Sequence, residues 1–351
     1  MKTEERQQLI LSTLIEEYID VGEALSSQAL AGKAHLNVSS ATVRNDLMCL
    51  EKEGYVRHLY TSSGRVPTDK GYRFYVNQLR GASPEESLAQ KQYFENALSQ
   101  ISVSMDKLLS YSASILSEMT SYPVILVSES LQRNMVKFVQ LVLLNIHQVM
   151  MVIMNNFGEN YEEIIPIYQE KIDQEILNKM TEYLNNLFHD VAVEDLGLIF
   201  DQNVEETLSR FGSFDQVLSR ISGLLNKSAH RLSTPNVVVE NEKKLLTFPE
   251  FQDIETLQKI LSVLEDEKKI CDMFIGGYES PRGGAQSRIG QEHDLPELAS
   301  TSLVYSDVLV DGQKIASIGL LGPTRMDYCQ MMSRINSLLA TLGDKVQKLF
   351  T

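Results

Sequence analysis

Tryptophan is absent from the 351 residues, and cysteine occurs only three times. Cys49, Cys271 and Cys329 are scattered and odd in number, so they form neither a disulfide framework nor a zinc-ligand spacing. They are read as thiols of a reducing compartment, which makes the cytoplasm the expected location. Long apolar runs are missing as well: "FVQLVLLNI" at residues 138–146 is too short to span a bilayer, so no membrane partner is expected. The opening "MKTEERQQLI" lacks the apolar stretch of a secretory signal. His147, His189, His230 and His293 have no HExxH or cysteine partner, and no GxSxG elbow occurs. Neither a metal nor a cofactor nor catalysis is expected, and the chain is read as a non-enzyme.

Acidity dominates the rest of the composition, with a formal charge of -15, but it is unevenly spread. In residues 1–80 ten Lys or Arg meet ten Asp or Glu, so the later residues carry the whole deficit. Residues 33–80 hold eight basic against four acidic side chains, a local +4. Over a Debye length of about 10 Å at 0.1 M salt, such a patch acts largely independently of a distant acidic surface.

The basic stretch sits in a recognisable order of elements. Leu9, Ile10, Leu14, Ile15, Tyr18 and Ile19 recur at helical spacing, and Gly22 stops that helix. Ser26 is placed to cap a short second helix, and Ser39 or Ser40 a third that runs to about Glu53. Val43, Leu47 and Leu50 form the inward face of this third helix; Ser40, Arg44, Asn45, Met48 and Lys52 face outward. "YVRHLY", a "TSSG" turn and a return strand before Pro67 complete a hairpin. Three helices followed by a β-hairpin is the order of a winged helix-turn-helix.

A helix that enters the major groove needs a capped N-terminus facing phosphate, short polar side chains at base edges, and an apolar back. Ser39, Ser40 and Thr42 supply donors, Arg44 suits guanine or phosphate, and Asn45 suits adenine. On the hairpin, Gly64 is expected to adopt positive φ at the tip and Arg65 to reach a minor groove or phosphate. His58, Thr61, Ser62 and Ser63 add hydrogen-bonding groups, and Lys70 and Arg73 extend the basic surface. Tyr72, Phe74 and Tyr75 are read as packing for the wing.

Beyond a linker at residues 81–85, a connecting helix extends to about residue 121. Strand-like runs follow at 122–170, a helical stretch at 171–255, and mixed elements at 256–351. The fold class is therefore α+β: an N-terminal winged helix (1–80), then an α+β domain (122–170 and 256–351) interrupted by a helical insertion (171–255). "GGYESPRGGAQSR" at 276–288 reads as a surface loop without a phosphate-loop Lys. "GPTRMDY" at 322–328 reads as Arg325 and Asp327 pairing or capping the last helix, with an anion loop as the alternative.

"SSATVRNDLMCLEKEGYVRHLYTSSGRVPTDKGYRFYV" at 39–76 resembles the N-terminal signature of the heat-inducible transcription repressor family, HrcA. "GQEHDLPELASTSLVYSDVLVDGQKIASIGLLGPTRMDYCQMMSRINSL" at 290–338 is similar to that family's C-terminal block. The resemblance implies a homodimeric repressor of groE- and dnaK-type chaperone operons. It would bind double-stranded DNA at the CIRCE inverted repeat and be kept active by the GroE chaperonin. It also implies that the α+β domain is GAF-like and that the inserted helical domain dimerises. Ser39 to Asn45 would be the recognition helix and Thr61 to Arg65 the wing. The chain departs from the family in having His58-Leu59-Tyr60 where a Pro-His pair is usual, and "EALSSQAL" where Pro-Val-Gly-Ser is usual. A small-molecule-sensing regulator that uses the GAF-like domain is the alternative.

Overall fold

A computed structural model describes residues 3–33, 38–58, 64–79, 88–99, 105–128, 135–156, 158–167, 172–233, 236–274, 284–310 and 312–350. The chain divides into two compact units. One comprises Met1–Ser99, Tyr111–Val127 and Val237–Thr351; the other comprises Gln100–Ser110 and Ser128–Asn236.

The first unit opens with α1 (Thr3–Val21), α2 (Ser27–Ala31) and α3 (Ser40–Lys52), then β1 (Val56–His58), β2 (Arg65–Pro67) and α4 (Asp69–Leu79). Ile10, Leu11, Leu14 and Ile15 of α1 are buried with Val43, Leu47 and Leu50 of α3, the stripes that the helical spacing selects. Gly22 takes φ +75° and ends α1. Next come α5 (Leu88–Leu98), α6 (Met105–Met119), which runs from the second unit into the first, and β3 (Val124–Ser128).

The second unit holds the antiparallel meander β4 (Val136–Asn145), β5 (Gln148–Asn155) and β6 (Asn160–Pro166), then α7 (Gln174–Leu187), α8 (Leu196–Gln202), α9 (Val204–Phe211) and α10 (Asp215–Ser233). Val139, Leu141, Met151, Ile153 and Ile165 of the sheet pack on Leu177, Met180, Leu184, Phe200 and Ile221 of the helices. Strand β4 is an edge, and α7 covers it with polar side chains. Asn185 accepts from Val139 N–H at 2.8 Å, Thr181 from Leu141 N–H at 3.1 Å, and Gln174 from Leu143 N–H at 2.9 Å. The interruption therefore spans 128–236 and carries its own sheet, where the sequence reading expected an all-helical piece at 171–255. Strand alternation at 136–166 shows that one face is apolar; it does not show which helices cover that face.

The first unit resumes with β7 (Asn236–Glu240), α11 (Ile254–Leu264), α12 (Glu267–Met273), β8 (Gln286–Ile289), β9 (Thr301–Val310), β10 (Gln313–Pro323) and α13 (Tyr328–Phe350). Its sheet has the order β7-β3-β10-β9-β8. Leu303 and Tyr305 of β9 face a core with Ile260, Val263, Ile270 and Met273 of α11 and α12. Ser302, one residue earlier, points the other way and hydrogen-bonds Tyr328 of α13 at 2.7 Å. The run at 254–274 is broken into α11 and α12 at residues 265–266. Asp266 caps the second by accepting from the Lys268 and Lys269 N–H groups.

In the second unit Glu159 is partly buried and hydrogen-bonded to Asp106 of α6. Burial, then the Asp106 charge, pushes its pKa up to about 7 from 4.5. Because the folded value is the higher one, its favourable contribution is complete below the ordinary range and is lost as pH rises through the folded value. Unfolding free energy is expected to fall by on the order of 2 kcal/mol between about pH 5 and about pH 8 from this group. Denaturant melts of Glu159→Gln across that window should show the slope flattened; an unchanged slope would place the titration elsewhere.

Candidate nucleic-acid interface

Helix α3 is held from behind by apolar contacts and by one buried acid. Asp46 is almost fully buried and receives Arg6 Nε at 2.7 Å, Arg6 Nη2 at 3.1 Å and Gln7 Nε2 at 3.3 Å. These donors, both from α1, fix the Asp46 carboxylate and with it the seating of α3 on α1. Asp46 lies on the same stripe as Val43, Leu47 and Leu50, and that position was the available sequence signal.

At the front, Ser39 caps the helix. Its Oγ accepts from the Thr42 N–H at 3.2 Å and lies 2.9 Å from the Thr42 hydroxyl. Ser39 and Thr42 thus satisfy the helix end, while the other N–H groups of the first turn and the helix dipole favour an anion. Ser40, Arg44, Asn45 and Met48 follow on the exposed face, Met48 with 47% of its surface open.

The wing is a two-stranded hairpin joined on its far side by a single β-bridge, which the sequence did not disclose. Strands β1 and β2 pair antiparallel with His58 opposite Arg65. Leu25, just before α2, then pairs with Arg65 on the other side, with N–H to O distances of 3.0 and 2.9 Å. Gly64 accordingly has no positive φ, contrary to the expectation from its turn position. It is glycine because the backbone at Leu25 passes too close: an added Cβ would lie 2.4 Å from the Leu25 carbonyl. Nothing in a tip sequence announces which distant strand will lie alongside it.

Arg65 is half-buried and bonded to Glu51 of α3 at 3.0 Å. His58 Nε2 lies 3.7 Å from the same carboxylate. Glu51, which sequence reasoning missed, therefore latches the wing to α3. Lys70 is exposed; its Nζ donates to the Glu53 carbonyl at 2.7 Å and lies 4.3 Å from the Tyr55 ring centre. Arg73 is turned away from this face. It is held by Glu292 and by the Ser287 carbonyl at 2.8 Å, both in the sheet-bearing part of the same unit. Thr61, Ser62 and Ser63 lie outside the described residues.

The "GPTRMDY" motif works between parts of the first unit. Arg325 donates to the Ile19 carbonyl at 3.2 Å, pairs with Glu250 and lies beside Gly22. Asp327 accepts from the Gln330 N–H at 2.9 Å and caps α13. Both charged side chains are thus used for pairing and capping. Most of "GGYESPRGGAQSR" lies outside the described residues. No helix among the described residues is long and apolar enough to cross a membrane, and no metal-ligand cluster occurs among them.

A family model described as HrcA protein C terminal domain matches residues 106–332. A second, described as DeoR-like helix-turn-helix domain, matches residues 6–63. The heat-inducible transcription repressor HrcA of Clostridium acetobutylicum is 30% identical and covers 99% of each chain. That of Alkaliphilus metalliredigens is 30% identical and covers 96% of each. A crystal structure of a hypothetical protein at 2.2 Å resolution is similar in fold, with a TM-score of 0.67 and 23% identity, covering 99% of this chain and 98% of the other.

Two glycines flank the wing for different reasons. Gly54 has φ +81° and open space around its Cα; Gly64 has ordinary φ and a crowded one. Asn tolerates the left-handed region, so Gly54→Asn should be nearly neutral. Gly64→Asn should cost about 1–3 kcal/mol by overpacking. Thermal melts of the two variants should separate them, and equal effects would contradict the close approach at Leu25.

Proposed function

The chain belongs to the HrcA family of heat-inducible transcription repressors, and from that premise we propose that it acts as a homodimer on an inverted-repeat operator of CIRCE type, with the GroE chaperonin maintaining its activity. The repressor family is not an enzyme class. The observation that carries the reading is the exposed face of the Ser39-capped α3, where Ser40, Arg44 and Asn45 stand together.

In this reading α3 lies in the major groove. Arg44 and Asn45 contact base edges, Ser40 and the free N–H groups of the first turn meet phosphate, and the wing lies along the backbone. Glu51 occupies Arg65 and His58, so the wing contributes mainly through its tip and Arg65 acts chiefly as a positioning residue. Lys70 adds charge at the rim. Two copies related by a twofold axis would read half-sites separated by a whole number of helical turns. The local +4 draws the winged helix to DNA, and the acidic remainder keeps other surfaces off the duplex. Dimerisation is assigned to the unit spanning 128–236, and operators upstream of groE- and dnaK-type chaperone genes are the expected targets.

Gel shifts of the full chain with an inverted-repeat duplex against a half-site duplex, with and without chaperonin, test target, dimerisation and partner together. Equal affinity for the two duplexes would sink the dimeric reading. Arg44→Ala should lose about 1–3 kcal/mol of operator affinity. Arg73→Ala should leave the slope of log affinity against log salt unchanged, since its guanidinium faces Glu292 rather than phosphate. A slope reduced by about one in Arg73→Ala would return that residue to the DNA face.

A further inference from the structure

Residues 287–295 have two sides with different occupations. Towards the winged helix, the Ser287 carbonyl and Glu292 hold Arg73, and the Gln291 N–H donates to Asp69 at 3.0 Å. Gly290 is pressed so close to Asp69 that an added Cβ would lie 2.1 Å from its carboxylate. Glu292 also accepts from the Ile289 N–H at 2.9 Å, which makes the segment stiff. Towards the other side, Arg288, His293, Asp294 and Leu295 line a cleft of about 290 Å³ with Asp272 and Met273. The volume is at the small end for ligand sites.

The chemistry of the cleft is that of a receptor for both signs of charge. Arg288 is buried, its side chain 7% exposed, and its guanidinium contacts Asp294 at 3.1 Å. The Asp294 side chain itself is 85% exposed, a loosely held carboxylate on a buried cation. Asp272 is exposed at the rim, and Met273 and Leu295 supply apolar wall. His293 is buried near Thr301; burial, then the Arg288 charge, pushes its pKa down to about 4, so it lines the cleft as a neutral ring.

We propose that this cleft binds a small zwitterion of the α-amino acid class and that its occupation alters how the winged helix is held. The ligand carboxylate takes the place of Asp294 on Arg288, its ammonium group meets Asp272, and a short apolar side chain lies on Met273 and Leu295. Arg288 alternates along β8 with Ser287, so a shift of one is passed to the other and to Arg73. The coupling half of the proposal rests on the repressor reading above; the binding half does not.

The test uses the full chain in a thermal-shift measurement against the common L-amino acids, one at a time at about 5 mM, where a specific ligand should raise Tm by about 2 °C or more. The matching 2-hydroxy acids, which lack the ammonium group, should shift it less. Arg288→Gln should abolish the shift. Asp272→Asn, at an exposed position that leaves the core intact, should reduce it whether or not the first variant folds. The active amino acid should change operator affinity at fixed salt by about fivefold or more. No shift from any amino acid, or an equal shift in Asp272→Asn, overturns the site. A shift with operator affinity unchanged overturns the coupling. Failure to bind operator in the absence of any addition would instead count against the repressor reading.

Discussion

The grip of Glu292 and the Ser287 carbonyl on Arg73 ties the winged helix of this protein to the sheet-bearing part of the same unit. Asp69 on the Gln291 N–H and Arg325 on the Ile19 carbonyl add contacts at the ends of α4 and α1. Each of the three uses charge at a helix terminus or in a paired fork, where direction matters. A hydrophobic seam alone would permit sliding; these contacts set an orientation. Between them the rings of Tyr72 and Tyr328 pack 5.9 Å apart, and burial raises the pKa of both hydroxyls.

Polar side chains also stabilise the exposed β-structure on which the architecture relies. A two-stranded wing is marginal by itself. Here Leu25 adds a β-bridge to the outer side of β2 and Glu51 latches Arg65 to α3. In the second unit, α7 uses Gln174, Thr181 and Asn185 to satisfy the open edge of β4. Both devices spend polar groups on backbone or strand positions that would otherwise pair with another chain.

Local chemistry made much of the candidate interface legible. Ser39 as cap, the buried stripe Val43, Leu47 and Leu50, and the exposed pair Arg44 and Asn45 all follow from helical period and capping preference. Partners far along the chain were not legible. Arg65 and Arg73 have the composition of DNA contacts, yet Glu51 and Glu292 claim them, and one of those lies 219 residues away. Gly64 was expected to need a positive φ, but its constraint comes from the close approach of Leu25 and not from its own dihedral.

The sequence by itself determined the element types, the winged-helix order, the separation of basic from acidic surface and the family, since these depend on neighbours within a few turns and on motif spacing. Tertiary structure alone decided which sheet each strand joined, which helices covered it and which charges paired with one another. The reason is physical. Periodicity shows that a face must be buried, and charge shows that a group needs a counter-ion or water. Neither states which of many chemically equivalent partners the folded chain brings within hydrogen-bonding distance.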